Sequence, residues 1–92
     1  MRWLRTALGN LDALARYIAR DDPAAARRVV AAIERSVALL DRYPAAGRPG
    51  RVEGTCELVV PGTPYIIPYR VHRQTVEILR VFHAARKWPT TL

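Results

Sequence analysis

The spacing of apolar residues changes once along this chain, and that change limits the folds open to it. Up to Tyr43 the apolar side chains recur every three or four residues; from Thr55 onward they recur at a spacing of two. The first period belongs to helices with one buried face, the second to strands. Between them lies PAAGRPGRVEG, Pro44–Gly54, with three glycines and two prolines, which reads as a loop. Helices therefore come first and strands follow, and a chain of 92 residues has room for one modest core.

Leu8, Leu11, Leu14, Ala15 and Ile18 predict a first helix over about 7–20, with Thr6 as its N-cap. Asp21-Asp22-Pro23 interrupts the pattern. Asp22 suits the cap of a second helix and Pro23 its first position, where no amide hydrogen is needed. Ala26, Val29, Val30, Ile33, Val37 and Leu40 form the stripe of that helix, which closes at Tyr43-Pro44. Met1–Leu4 is short and apolar and reads as a first strand.

After the loop, Thr55–Val60, Tyr65–Val71 and Thr75–Phe82 predict three strands. Pro68 cannot donate to a ladder, so a bulge or one-sided pairing is expected there. With Arg73-Gln74 as the tip of the last hairpin, Arg70 lies opposite Glu77 and Ile67 opposite Arg80. The expected architecture is α+β: an N-terminal antiparallel helical hairpin packed on a small, mainly antiparallel sheet of three to four strands. It forms a single domain over 1–92, with the hairpin at about 7–43, the loop at 44–54, the sheet at 55–83 and a tail at 84–92.

The formal charge is +7, and fourteen of the fifteen cations are arginine, Lys87 being the exception. Arginine grips carboxylate or phosphate with two parallel hydrogen bonds, which fits nucleic acid or an acidic protein as partner. A GC-rich coding bias accounts for the arginine excess equally well. The single cysteine, Cys56, excludes an intrachain disulfide and a cysteine-based metal site. The carboxylates show no metal spacing, the glycines serve turns, and no Ser-His-Asp set is readable, so no metal or cofactor is expected. The start, MRWLRTALGNLDAL, is not a signal peptide, and no apolar run reaches membrane-spanning length. A cytoplasmic protein is expected.

The residues with chemical potential gather late in the chain. Arg80 stands among Ile78, Leu79, Val81 and Phe82. A guanidinium there must face a cleft, pair with Glu57, or reach the sheet edge. His83, Arg86, Lys87 and Trp88 follow. Histidine exchanges a proton near neutral pH and arginine stabilises a phosphorane, a combination suited to RNA cleavage. Trp88, Tyr65 or Tyr69 can stack on a base. Against this, a lone histidine at a strand end often has only a structural role, and Arg70 with Glu77 reads as a surface ion pair. Cys56 reads as a strand residue and His72 as a solvated turn residue.

The segments WLRTALGNLDALARYIARDDPAAA, DRYPAAGRPGRVEGTCELVV, YIIPYRV and VEILRVFHAARKWP, in this order, resemble the ParE/RelE superfamily, the toxins of bacterial type II toxin–antitoxin pairs. The resemblance spans nearly the whole chain. It implies a compact α+β toxin held inactive by a cognate antitoxin that wraps over it. Two activities occur in the superfamily: ParE-like poisoning of DNA gyrase and RelE-like cleavage of mRNA on the ribosome. The long hairpin with its DDPAAARR junction resembles the ParE branch, and the gyrase reading is placed first. On the nuclease reading, His83, Arg86 and Arg80 are the catalytic candidates. Target- or antitoxin-binding candidates are Arg70, Arg80, Arg86, Lys87, Trp88, Cys56 and Tyr65. Relatives carry arginine where this chain has Cys56. That departure raises a third reading, an attenuated toxin kept as a partner in an autoregulatory complex.

Overall fold

A computed structural model describes residues 1–86, 88 and 92. The elements in chain order are β1 (Arg2–Trp3), α1 (Arg5–Ala19), α2 (Pro23–Leu39), β2 (Arg48–Pro49), β3 (Cys56–Val59), β4 (Tyr65–His72), β5 (Thr75–Ile78) and β6 (Phe82–His83).

The first helix begins earlier than the sequence suggested. Its N-cap is Leu4, which offers no side-chain cap, and Thr6 lies inside the first turn. The reason is β1. The Leu4 amide donates to the Ile78 carbonyl at 3.0 Å, and the Leu4 carbonyl accepts from the Leu8 amide at 3.1 Å. The chain passes from ladder to helix at a single residue, so backbone pairing takes the place of a capping side chain. The second helix starts as expected: the Asp22 carboxylate accepts from the Ala25 amide at 3.0 Å, and Pro23 occupies the first turn.

The two helices pack side by side and lay their apolar faces on one side of the sheet. Ala7, Leu14, Ile33, Val37 and Leu40 meet Tyr65, Ile67, Tyr69, Val76, Ile78 and Val81 in one core. Leu8, read as part of the apolar stripe, is half-exposed; Ala7 takes its place. Among the described residues no helix is long and apolar enough to cross a membrane.

The sheet runs β1-β5-β4-β3-β2, with β6 also paired to β4. It is mixed, because β1 lies parallel to β5 while the other pairings are antiparallel. Two short strands, β2 and β6, extend it beyond the three to four expected. Arg70 faces Glu77, as the two-residue hairpin requires. The third expected strand is broken, however. Between the pairs Ile78–Tyr69 and Phe82–Ile66 the β5–β6 line carries one residue more than β4. This bulge sits opposite Pro68, whose carbonyl accepts from the Leu79 amide at 3.0 Å but which has no N–H to return. Arg80 falls in the bulge, and Ile67 pairs with Leu58 on the other side of β4 rather than with Arg80.

The hairpin tip carries local strain. Arg73 and Gln74 both have positive φ, 51° and 64°, without being glycine. A tight hairpin demands this geometry, and asparagine followed by glycine adopts it at least cost. Arg73→Asn combined with Gln74→Gly is therefore expected to stabilise the fold by about 1 kcal/mol. A rise in the urea midpoint at unchanged slope is the readout, and an unchanged midpoint would contradict it.

Candidate functional site

The start of β4 and the end of β6 meet under α1, and a groove of about 660 Å³ opens between them. His83 stands opposite Tyr65 in the ladder, and the rings meet edge to face with centroids 5.6 Å apart. The His83 Nδ1 accepts from the Ala85 amide at 3.2 Å. In the neutral ring this leaves the proton on Nε2. Arg86 turns back at once, its amide donating to the His83 carbonyl at 3.0 Å. Burial pushes the Tyr65 phenol pKa up; the nearby Arg86 charge works against that rise and Tyr17 adds to it. The phenol is thus a neutral hydrogen-bond donor at physiological pH.

The opposite wall is α1 with its C-cap: Asn10, Arg16 and Tyr17 lie on the helix and Arg20 caps it. The Asn10 Oδ1 accepts from the Val81 amide at 3.1 Å, which ties the helix to the strand bulge. Among the described residues no carboxylate lines the groove; the nearest balancing charge is Asp12, which pairs with Arg16 at 3.1 Å on the helix surface.

The remaining candidates do not join this groove. Successive strand residues point to opposite faces, so Phe82 projects away from the helices while His83 projects toward them. Trp88 follows Phe82: their ring centroids are 4.7 Å apart, and the Arg51 guanidinium carbon lies 3.6 Å above the Trp88 ring. Arg70 shares the helix-free face, its Nε 2.6 Å from Glu77, with Arg2 at 3.6 Å from the same carboxylate. The hydrogen bond from Arg70 is the main reason the Glu77 carboxyl sits below its ordinary range, against a smaller upward push from burial. Arg80 donates to the Leu79 carbonyl at 2.7 Å and the Leu92 carbonyl at 3.1 Å, so it neither pairs with Glu57 nor opens into the groove. Cys56 is half-buried on the core side of the sheet, opposite Tyr69. Lys87 lies outside the described residues.

Glu57 belongs instead to the loop before it. Its carboxylate accepts from the Arg51 amide at 2.8 Å, the Arg51 Nε at 3.2 Å and the Arg48 guanidinium at 3.3 Å. Burial raises its pKa, and the Arg51 amide, the Arg51 charge and Arg48 together outweigh that, leaving the carboxyl below its ordinary value. Arg51 therefore links the buried Glu57 to Trp88. Sequence reasoning missed this clamp, and it missed the α1 wall. The only local sign of the wall was that Arg16 and Arg20 lie off the apolar stripe, as any solvated helix face does.

A helical hairpin on one face of a small mixed sheet is a fold shared with a known class of toxin. The fold matches a solved structure described as "Chromosomal ParDE TA system from P. aeruginosa", with a TM-score of 0.79, 32% identity, and coverage of 89% of this chain and 91% of that one. The chain is 54% identical over its whole length to "Putative toxin Y4kP" of Sinorhizobium fredii, covering 95% of that protein. It is 37% identical to "Toxin RelE2" of Caulobacter vibrioides, over 91% of this chain and 93% of that protein. A family model described as "ParE toxin of type II toxin-antitoxin system, parDE" matches residues 1–88. The chain belongs to this ParE toxin family, and it is a toxin of a type II toxin–antitoxin system.

Proposed function

We propose that this toxin arrests growth by binding, with DNA gyrase as its target, and that a cognate antitoxin keeps it inactive until released. The observation that supports binding over bond cleavage is that Arg80 stands apart from the other two catalytic candidates, His83 and Arg86. A nuclease needs its base and its phosphate-holding cations converging on one reacting atom. Here the Arg80 guanidinium is spent on two backbone carbonyls, and Arg70, a binding candidate, pairs with Glu77 on the far side of the sheet. The cationic surface also suits an acidic antitoxin segment, in keeping with the likeness to a structure of a ParDE toxin–antitoxin system.

One observation favours the second reading, a ribosome-dependent endoribonuclease: His83, Tyr65 and Arg86 do line a single groove. The two readings part in a paired assay. Purified toxin is expected to inhibit gyrase supercoiling and to leave mRNA intact on translating ribosomes; codon-phased cuts with unaffected supercoiling would reverse the assignment. His83→Ala is expected to retain growth arrest on induction, whereas loss of a general base costs about 100-fold or more. Absence of growth arrest by the unaltered chain supports the attenuated reading. Recovery of arrest in Cys56→Arg would trace the attenuation to that position.

A further inference from the structure

We infer that the groove between α1 and the β4–β6 end binds single-stranded nucleic acid, with Tyr17 as the stacking surface for a base and Arg16, Arg20 and Arg86 holding the flanking phosphates. This goes beyond the gyrase reading, because it assigns a ligand class to the groove itself and gives work to α1 residues that neither target reading uses.

The first observation is charge. Three arginines line a groove that, among the described residues, has no carboxylate in its walls. Elsewhere the buried carboxylates Glu57 and Glu77 take up Arg48, Arg51, Arg2 and Arg70 in ion pairs. Among the described residues, Arg16 is the one groove arginine with an acidic neighbour, the exposed Asp12. A groove of one sign focuses its field on an anion.

The second observation separates nucleic acid from an acidic peptide. Tyr17 is 65% exposed and its ring lines the groove. It sits between Arg16 and Arg20 along the helix, so its ring and the two guanidiniums face the same ligand. An aromatic face flanked by cations is the arrangement that takes a base with its backbone. Opposite it stands the neutral Tyr65 hydroxyl, and on the same helix lies the Asn10 amide; both supply hydrogen-bond groups. The Asn10 Oδ1 is already engaged by Val81, which leaves its NH2 to donate.

The test is fluorescence anisotropy of the purified full chain with labelled eight-nucleotide DNA and RNA strands of the same sequence. Arg20→Glu and Tyr17→Ala are each expected to weaken binding by about tenfold or more. Arg20→Glu lowers the salt dependence, while Tyr17→Ala leaves it unchanged, since stacking releases no counterions. Arg35→Glu and Arg42→Glu carry the same charge change on exposed positions outside the groove and are expected to cost less than about threefold. Tyr17→Leu, with the stack removed but apolar bulk kept, should behave like Tyr17→Ala. Equal losses with both strands mean that backbone and base faces are held; stronger binding of RNA means that the 2′-hydroxyl is read as well. The inference is overturned if the control variants lose as much as Arg20→Glu, or if Tyr17→Ala binds normally. It is also overturned if a labelled poly-glutamate peptide binds as tightly with the same losses. Supercoiling inhibition without oligonucleotide binding overturns the inference and leaves the gyrase reading intact; oligonucleotide binding without inhibition does the reverse.

Discussion

Glu57→Ala is expected to lower the unfolding free energy by about 3 kcal/mol, the low end for removing one partner of a buried ion pair. The low end applies because Arg48 and Arg51 are half-exposed and return to solvent when the carboxylate goes. The loss is more than one bond. The Arg51 amide, its Nε and Arg48 all converge on this carboxylate. Without it the loop from Gly50 to Thr55 loses its side-chain tie to the sheet, and Arg51 loses the anchor that holds it over Trp88. The pH dependence has a definite sign. A carboxyl whose folded pKa is depressed stabilises the fold above its ordinary value, near 4.5, and that stabilisation disappears as pH falls through the folded value. Glu77 is shifted in the same direction, so both act together. Urea unfolding at neutral pH and at about pH 3 should show the unaltered chain losing stability on acidification and Glu57→Ala losing less. Equal acid sensitivity in the two proteins would remove Glu57 from the account.

Gly47→Ala is expected to cost about 2–3 kcal/mol, although it adds a single methyl group. The position needs no special backbone angle. What it lacks is space: a Cβ there would lie 2.6 Å from the Tyr69 ring and hydroxyl and 2.9 Å from the Glu57 carbonyl oxygen. Neither neighbour can yield cheaply. Tyr69 is fully buried, and its hydroxyl accepts from the Gly47 amide at 2.8 Å while donating to the Pro44 carbonyl at 2.7 Å. Displacing the ring breaks both bonds and leaves a buried hydroxyl to find new partners. Tyr69→Phe in the Gly47→Ala background separates the causes. It removes the hydroxyl that clashes, so the double variant should lose less than the sum of the two single losses. Strict additivity would show that the clash is not with Tyr69. Gly54, with φ of +80° and open space around it, fails for a different reason when substituted, since only its backbone angle resists a side chain.

Much of the fold was legible in local spacing. The Asp22-Pro23 cap, the hairpin of helices, the Arg73-Gln74 tip and the Arg70–Glu77 register each rest on residues within a few positions of one another, where propensity and turn chemistry act directly. Pro68 also announced its irregularity. What it did not reveal was the consequence: one extra residue opposite it shifts the register, so Arg80 leaves the ladder. The first helix start was misplaced because a distant strand, β5, supplies the pairing that a capping side chain would otherwise provide. The candidate site was read less well. Its late residues read as one surface, but a pleated strand sends neighbours to opposite faces, so His83 and Trp88 parted.

Local spacing thus settled the kinds of elements and their order, and the order of its segments was enough to suggest the toxin superfamily. It also supplied fourteen arginines with no means of ranking them. The ranking came from tertiary contacts. Glu57 and Glu77 are drawn into the sheet by their place in the strand pattern, and burial makes each hold the guanidiniums nearest in space rather than in sequence. Backbone carbonyls take Arg80 in the same way. Packing of α1 across the end of the sheet then turns Arg16, Tyr17 and Arg20 from an ordinary solvated helix face into one wall of a groove. Charge is written in the chain residue by residue, but its availability depends on distances that only the folded molecule sets.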